Sequence, residues 1–121
     1  MERKADYTEL VVWQRAMALV PDGYTLLKAF PQEETYALAD QIRRAVVSIP
    51  ANIAEGQARQ HRKEFIQHLS IAKGRLAELH TLLMIAQRLR YLSGDRLREI
   101  EAALETIGRP LAGLINRLRQ G

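Results

Sequence analysis

Apolar residues recur along almost the whole chain at alternating steps of three and four positions, which is the spacing of one face of an α-helix. Four segments carry such a row, and they predict helices over about residues 8–29, 33–59, 62–92 and 95–119. No segment shows the strict alternation of a β-strand, and only short polar links separate the rows. The pattern therefore predicts an all-α fold, an up-down-up-down antiparallel four-helix bundle, formed as a single domain over residues 1–121.

Prolines fall inside three of the predicted helices. The Pro-Asp-Gly run at residues 21–23 is typical of a turn, but the apolar row stays in phase across it, so we expect one helix with a kink at Pro21. Bends are also predicted at Pro50 and Pro110, because a proline lacks the N–H that a helix interior requires. Ser48 or Asn52 is predicted to bond a backbone group that Pro50 leaves free.

The second helix contains the stretch QIRRAVVSIPANIAEGQAR, residues 41–59, and has few positions that need water. Helical spacing puts its polar residues on one stripe, consisting of Gln41, Arg44, Ser48, Asn52, Glu55 and Arg59. A helix that is apolar on nearly every other side is buried on more than one side. We therefore expect an intermolecular contact, and a homo-oligomer, through small residues on its second apolar side, namely Ala39, Val47, Ala51, Ala54 and Ala58.

Composition and charge exclude several classes of protein. Eighteen Lys and Arg against fourteen Asp and Glu give a net charge of +4 and a pI near 9.8, which mildly favours acidic partners such as nucleic acid. Cysteine is absent, so disulfides and thiol chemistry are excluded. No uncharged apolar run approaches the ~18 residues of a membrane span, and the N-terminus lacks the apolar core of a signal peptide. These features predict a cytoplasmic protein without a membrane partner.

Candidate catalytic and metal-binding groups are sparse. His61, His68 and His80 lack the Glu-x-x-His pairs of di-iron bundles, and neither His61 nor His68 has a carboxylate at the spacing of zinc proteases. Ser48 and Ser70 have no His and acid at a recognisable spacing, and no glycine-rich phosphate loop is present. The sequence predicts no enzymatic activity, no cofactor and no metal site.

Two carboxylates lie close to the apolar faces of their helices, Glu55 on the second and Glu78 on the third. We expect them to be partly buried and paired with Arg44, Arg59 or Asn52. One interpretation is a general acid or base with a shifted pKa. The other, which we favour, is a structural polar network that fixes helix register and subunit orientation, consisting of Arg44, Ser48, Asn52, Glu55 and Glu78.

The predicted topology gathers basic residues at one end of the bundle, where the starts of the first and third helices meet the ends of the second and fourth. This end would carry Arg59, Arg62, Lys63, Arg117 and Arg119, together with Arg3, Lys4 and His61. Charged helix ends are commonly just solvated. In a cyclic ring, however, the cluster would be repeated on one face and would build a substantial field.

Four stretches carry a resemblance to a known family, namely LVVWQRAM, Phe30-Pro31, the segment at residues 41–59 and EFIQHLSIAKGRLAEL. They closely resemble the four-helix bundle proteins encoded in 23S ribosomal RNA intervening sequences, a family that includes accessory proteins of diversity-generating retroelements. The resemblance implies a homopentameric ring with a positively charged surface. For the retroelement members it also implies binding to nucleic acid and to a reverse transcriptase.

Two functional hypotheses follow. The first is an assembly that binds structured RNA or an RNA–DNA hybrid through phosphates at Arg59, Arg62, Lys63, Arg117 and Arg119, since no base-reading motif is present. The alternative is a protein-interaction scaffold that docks a partner enzyme such as a reverse transcriptase, with incidental charge. Aromatic residues lie mainly on apolar rows or helix ends, which argues against a stacking platform for single strands.

Overall fold

The computed structural model describes residues 6–121. Its helices are α1 (Val11–Leu27), α2 (Leu38–Ala58), α3 (Arg62–Arg88) and α4 (Gly94–Gln120), with one-turn 3-10 helices at Tyr7–Glu9 and Gln32–Glu34. No strand occurs in this part of the chain. Each helix packs on the next, and α1 also packs on α4, whereas the backbones of the diagonal pairs α1–α3 and α2–α4 lie farther apart. The predicted all-α four-helix bundle is confirmed.

The core is built around the apolar faces of α2 and α3, which form the most extensive helix pair of the bundle. Ile49 and Ile53 of α2 and Leu69 of α3 are completely buried. Among the described residues, every buried side chain that forms the core is apolar, and no polar or charged residue is buried. Chemistry that needs a charged group would therefore have to take place at the surface.

Three of the helices run through a proline, at Pro21 in α1, Pro50 in α2 and Pro110 in α4. The prediction that α1 continues through the Pro-Asp-Gly run is confirmed. Gly23 in that run faces Val46 of α2, and an added Cβ would already touch the Val46 side chain at 3.4 Å. The small residue thus lets the two helices approach, and the bends at the prolines stay predictions.

The side chains next to Pro50 bond to the helix backbone, but to different groups from the one we expected. The acceptor that Pro50 leaves without its helical donor is the carbonyl of Val46, four residues earlier. Ser48 Oγ donates to the Ala45 carbonyl at 2.7 Å, and Asn52 Nδ2 donates to the Ser48 carbonyl at 2.8 Å. Both side chains therefore bond the neighbouring carbonyls rather than that of Val46.

Helix α2 begins at Leu38, several residues later than predicted. The Thr35 hydroxyl donates to the Gln32 carbonyl at 2.7 Å, and an Arg43 guanidinium nitrogen donates to the Thr35 carbonyl at 2.6 Å. Such local bonds offer the backbone an alternative to the helix. Glu34, four residues before the start of α2, caps its first turn, because Glu34 Oε1 accepts a hydrogen bond from the Leu38 amide at 3.3 Å.

An arginine of α1 replaces the hydrogen bond that Pro110 removes from α4. The carbonyl four residues before Pro110 is that of Thr106, which has no proline N–H to accept from. Arg15 Nη1 donates to this carbonyl at 2.8 Å. The Arg15 side chain thus takes the place of the N–H that Pro110 lacks. This hydrogen bond joins α1 to α4, the two helices that are farthest apart in the chain.

We expect Arg15→Ala to lower the free energy of unfolding by about 1 kcal/mol, because the Thr106 carbonyl loses its protein donor. In a Pro110→Ala background the N–H restored at this position supplies that bond, so the same Arg15→Ala change should cost clearly less. Urea denaturation of the four proteins in this double-mutant cycle measures the difference. Equal costs in both backgrounds would show that Arg15 does not serve this carbonyl.

Candidate nucleic-acid interface

The predicted basic residues come together where α2 and α4 end and α3 begins. Arg62 is the first residue of α3, and Lys63 follows it. Arg117 and Arg119 lie in the last turn of α4. The Arg62 guanidinium lies 3.6 Å from the position that a Cβ on Gly121 would occupy, so the start of α3 and the end of α4 are in contact. We call Arg59, Arg62, Lys63, Arg117 and Arg119 the basic end.

Arg59 differs from the other members of the basic end because acids neutralise it. Its Nη2 lies 3.0 Å from Glu55 Oε1, and its Nη1 lies 3.9 Å from Glu64 Oε2. The other four members are exposed and form no ion pair with any residue between 6 and 121. Arg62, Lys63, Arg117 and Arg119 are therefore the cations available to a phosphate. Arg3 and Lys4, which we also assigned to this cluster, lie outside the described residues.

The predicted structural polar network does not form a connected set of hydrogen bonds and ion pairs within one chain. Glu55 pairs with Arg59, as expected, and Asn52 bonds its own helix. Glu78 pairs with Arg75 at 3.3 Å, not with Arg44, Arg59 or Asn52 as we predicted. Arg44 is held instead by Asp40 at 3.3 Å.

The carboxylates of Glu55 and Glu78 are also more exposed than a buried ion pair would be. The Glu55 and Glu78 side chains are 53% and 46% exposed in the single chain. The ion pairs that replace the predicted ones join residues three or four positions apart on one helix, a spacing that was visible in the sequence. Arg44, Ser48 and Glu78 do meet, but only as the lining of an open groove of about 400 Å³ between α2 and α3.

The second apolar side of α2 is largely uncovered by its own chain. Val47 is 43% exposed, Ala51 and Ala58 are exposed, and Ala54 is half-buried. Ala39 is the exception, because it is 3% exposed and belongs to the core. The remaining four residues form a strip of small apolar side chains along the outside of α2, which we call the α2 strip.

The histidines lie apart from one another. His80 Nε2 of α3 and Glu101 Oε2 of α4 are 2.7 Å apart and join the two helices. His68 packs against Gly56, and its Nδ1 is buried without a hydrogen-bond partner. Within residues 6–121 no group of three or more His, Cys, Asp or Glu side chains is placed to hold a metal ion. No helix in the same range has the length and apolar character needed to cross a bilayer.

The opposite end of the bundle contains a contact that sequence reasoning missed. The Tyr91 hydroxyl donates to Glu34 Oε2 at 2.9 Å, and the Tyr91 ring packs on Phe30 with ring centroids 5.4 Å apart. The hydrogen bond to Glu34, together with partial burial and the charges of Glu34 and Glu33, raises the pKa of Tyr91 above that of an ordinary tyrosine. The link between α1 and α2 is thus fixed to the link between α3 and α4.

Comparison with known proteins gives a matching family and similar solved structures. A family model described as 23S rRNA-intervening sequence protein matches residues 8–113. A crystal structure of a protein of unknown function from the S23 ribosomal protein family of Bacteroides thetaiotaomicron is 27% identical, with a TM-score of 0.80. The match covers 87% of this chain and 98% of that one. None of the curated proteins matches.

Proposed function

Because the chain belongs to the 23S rRNA-intervening sequence protein family, we propose that it is a non-enzymatic, homo-oligomeric bundle that binds nucleic acid through its basic end. Structured RNA or an RNA–DNA hybrid is the proposed ligand. The contacts would be to phosphates, since helices α1 to α4 present no base-reading motif.

The observation that carries this proposal is the unpaired charge at the basic end. Arg62, Lys63, Arg117 and Arg119 are exposed, and no acid among residues 6–121 pairs with them. A surface held only for solubility would be expected to mix both signs, as other parts of this bundle do through ion pairs such as Arg43 with Asp40 and Arg109 with Glu105. Concentrated unpaired cations attract a polyanion and release its counterions.

Oligomerisation is the second part of the proposal, and the α2 strip supports it. Small side chains allow close helix contact, and an apolar strip along a helix is stabilised when a second copy covers it. A pentameric ring, which the resemblance implies, would repeat the basic end on one face. Several phosphates could then be bound together.

Size exclusion with light scattering is expected to give a homo-oligomer, most simply a pentamer. Val47→Glu should dissociate it, because a charge would be buried in the contact without a partner. Val47→Ala is the matched control, since it keeps the strip small and apolar, and it should leave the assembly intact. A concentration-independent monomer of the unaltered chain would contradict this part of the proposal.

Binding itself is tested with two labelled RNA duplexes of unrelated sequence, measured by fluorescence anisotropy at ~50 mM salt, where contacts to phosphate are strong. Both duplexes should bind with similar affinity, because phosphates carry no sequence information. If neither duplex binds, the basic end is a solvated terminus, and the alternative function, a scaffold that docks a partner enzyme, replaces the proposal.

A further inference from the structure

The end of the bundle opposite the basic end has a surface of its own. We call residues 28–36 and 85–91 the distal end. Its two segments are held together by the Tyr91 hydroxyl, which donates to Glu34 at 2.9 Å, and by the packing of Tyr91 on Phe30. Glu34 also accepts from the Leu38 amide at 3.3 Å. These bonds order the surface before any partner arrives, which lowers the entropic cost of binding.

Large apolar side chains stand out into solvent at the distal end. Tyr36 is 92% exposed, Leu89 is 50% exposed and Ile85 is 41% exposed. Leu89 directly follows α3, and its amide donates to the Ile85 carbonyl at 3.0 Å, so the two residues lie one helical turn apart on the same side. Tyr36 follows Glu34, the hydrogen-bond partner of Tyr91, by two residues in the chain. Exposed apolar residues in a group are typical of a contact surface for another protein.

Cations border these apolar residues. Arg88 and Arg90 flank Leu89 in the chain, and Lys28 lies on the neighbouring segment. All three are exposed and form no ion pair with residues 6–121. Of the two acids in these ranges, Glu34 is engaged by Tyr91 and only Glu33 remains. The charge at this surface is complementary to an acidic partner.

The backbone at Arg90 is a separate and independent observation. The end of α3 forms a Schellman motif, in which the Tyr91 amide donates to the Ala86 carbonyl at 2.9 Å and the Arg90 amide donates to the Gln87 carbonyl at 3.0 Å. Arg90 occupies the left-handed position of this motif with φ 67°. Glycine is the residue that normally fills it at no steric cost. The arginine therefore occupies a position whose backbone conformation favours glycine.

We propose that the distal end docks an acidic, apolar segment of another protein, with Leu89, Ile85 and Tyr36 covered by its apolar side chains and Arg88 and Arg90 paired with its carboxylates. A nucleic acid is the less suitable ligand, because two of the three exposed apolar residues, Ile85 and Leu89, are aliphatic and offer no ring on which a base can stack. The distal end and the basic end would then bind two different partners at once.

The test uses the full chain and a fluorescein-labelled amphipathic peptide that carries Glu on one helical face and Leu and Phe on the other. The unaltered protein should bind it by anisotropy, and Arg90→Gly should weaken binding about tenfold, the loss expected when one well-placed contact disappears. Arg90→Gly should also leave the thermal midpoint unchanged or raised, since glycine suits this backbone. Loss of affinity without loss of stability would be the signature of a binding residue.

Gln60→Gly is the matched control, because Gln60 has the same left-handed backbone, with φ 65°, at the end of α2. It should leave peptide binding unchanged. The proposal is overturned if Arg90→Gly binds like the unaltered protein, or if a peptide with Ser in place of Leu and Phe binds equally well. It is also overturned if a single-stranded oligouridylate displaces the peptide, or if Arg62→Glu/Lys63→Glu abolishes peptide binding. Duplex binding at the basic end is measured separately, so either function can fail alone.

Discussion

Reversing the charges of Arg62 and Lys63 together, as Arg62→Glu/Lys63→Glu, is expected to weaken duplex RNA binding about a hundredfold, taking roughly tenfold for each reversed charge. Both residues are exposed in the first turn of α3 and form no ion pair with the rest of residues 6–121. The loss should be similar for unrelated sequences. Fluorescence anisotropy at ~50 mM salt, where phosphate contacts are strong, measures it.

Lys28→Glu/Arg88→Glu is the matched control, because it changes the net charge by the same amount at the opposite end of the bundle. Its effect on duplex affinity should be small, since only the general field of the protein changes. Light scattering of both variants should show an intact oligomer. An equal loss in both variants would mean that net charge, and not the basic end, attracts the RNA.

Gly56→Ala is expected to lower the free energy of unfolding by about 1–3 kcal/mol through overpacking. Gly56 is buried where α2 faces α3, and a Cβ placed on it would lie 2.5 Å from the Cβ of His68 and 3.3 Å from the Phe65 ring. The Cβ of His68 is fixed to the backbone, so the helices would have to separate. Urea denaturation measures the change, and the start of α3, which carries Arg62, would shift with it.

Gly74→Ala is the control for the glycine substitution itself. Gly74 is an exposed interior position of α3, and a Cβ there meets nothing within 4 Å. Alanine should therefore stabilise the fold by about 0.5–1 kcal/mol through its higher helix propensity. The free energy of unfolding should therefore fall in Gly56→Ala and rise in Gly74→Ala. A stabilising Gly56→Ala would show that α2 and α3 are not in close contact at this point.

The helical architecture could be read from the sequence because the apolar rows are long and continuous. The row through Pro21 stayed in phase, and the structure forms one helix there. The start of α2 could not be placed in the same way. It depends on bonds of Thr35 to Gln32 and Arg43, which are individually weak and compete with helix formation.

Long-range contacts between polar groups were the least predictable part of the fold. The bond from Arg15 to the Thr106 carbonyl joins α1 to α4, and the bond from Tyr91 to Glu34 joins two links. Both depend on the exact axial register of helices, which apolar spacing does not determine. The first bond is explained by the Thr106 carbonyl that Pro110 leaves free, and the second by the packing of the Tyr91 ring on Phe30. Neither bond is visible in the sequence.

The candidate site was predictable to the extent that topology determines it. An antiparallel bundle brings the start of α3 to the end of α4, and Arg62 lies beside Gly121 as a result. The partners of single charges were harder to predict. Glu78 was expected to bond across helices but pairs with Arg75 on its own helix, since an exposed carboxylate finds its nearest cation within one turn.

The dependence of duplex RNA affinity on salt tests the central proposal, that the basic end binds phosphates, most directly. The logarithm of the association constant should fall linearly with the logarithm of the salt concentration, with a slope of about −0.9 for each duplex phosphate contacted. An assembly that contacts several phosphates should therefore lose most of its affinity between low and moderate salt, and Arg62→Glu/Lys63→Glu should give a shallower slope. An affinity that does not change with salt, or that shows the same slope in the double variant, would contradict the proposed function.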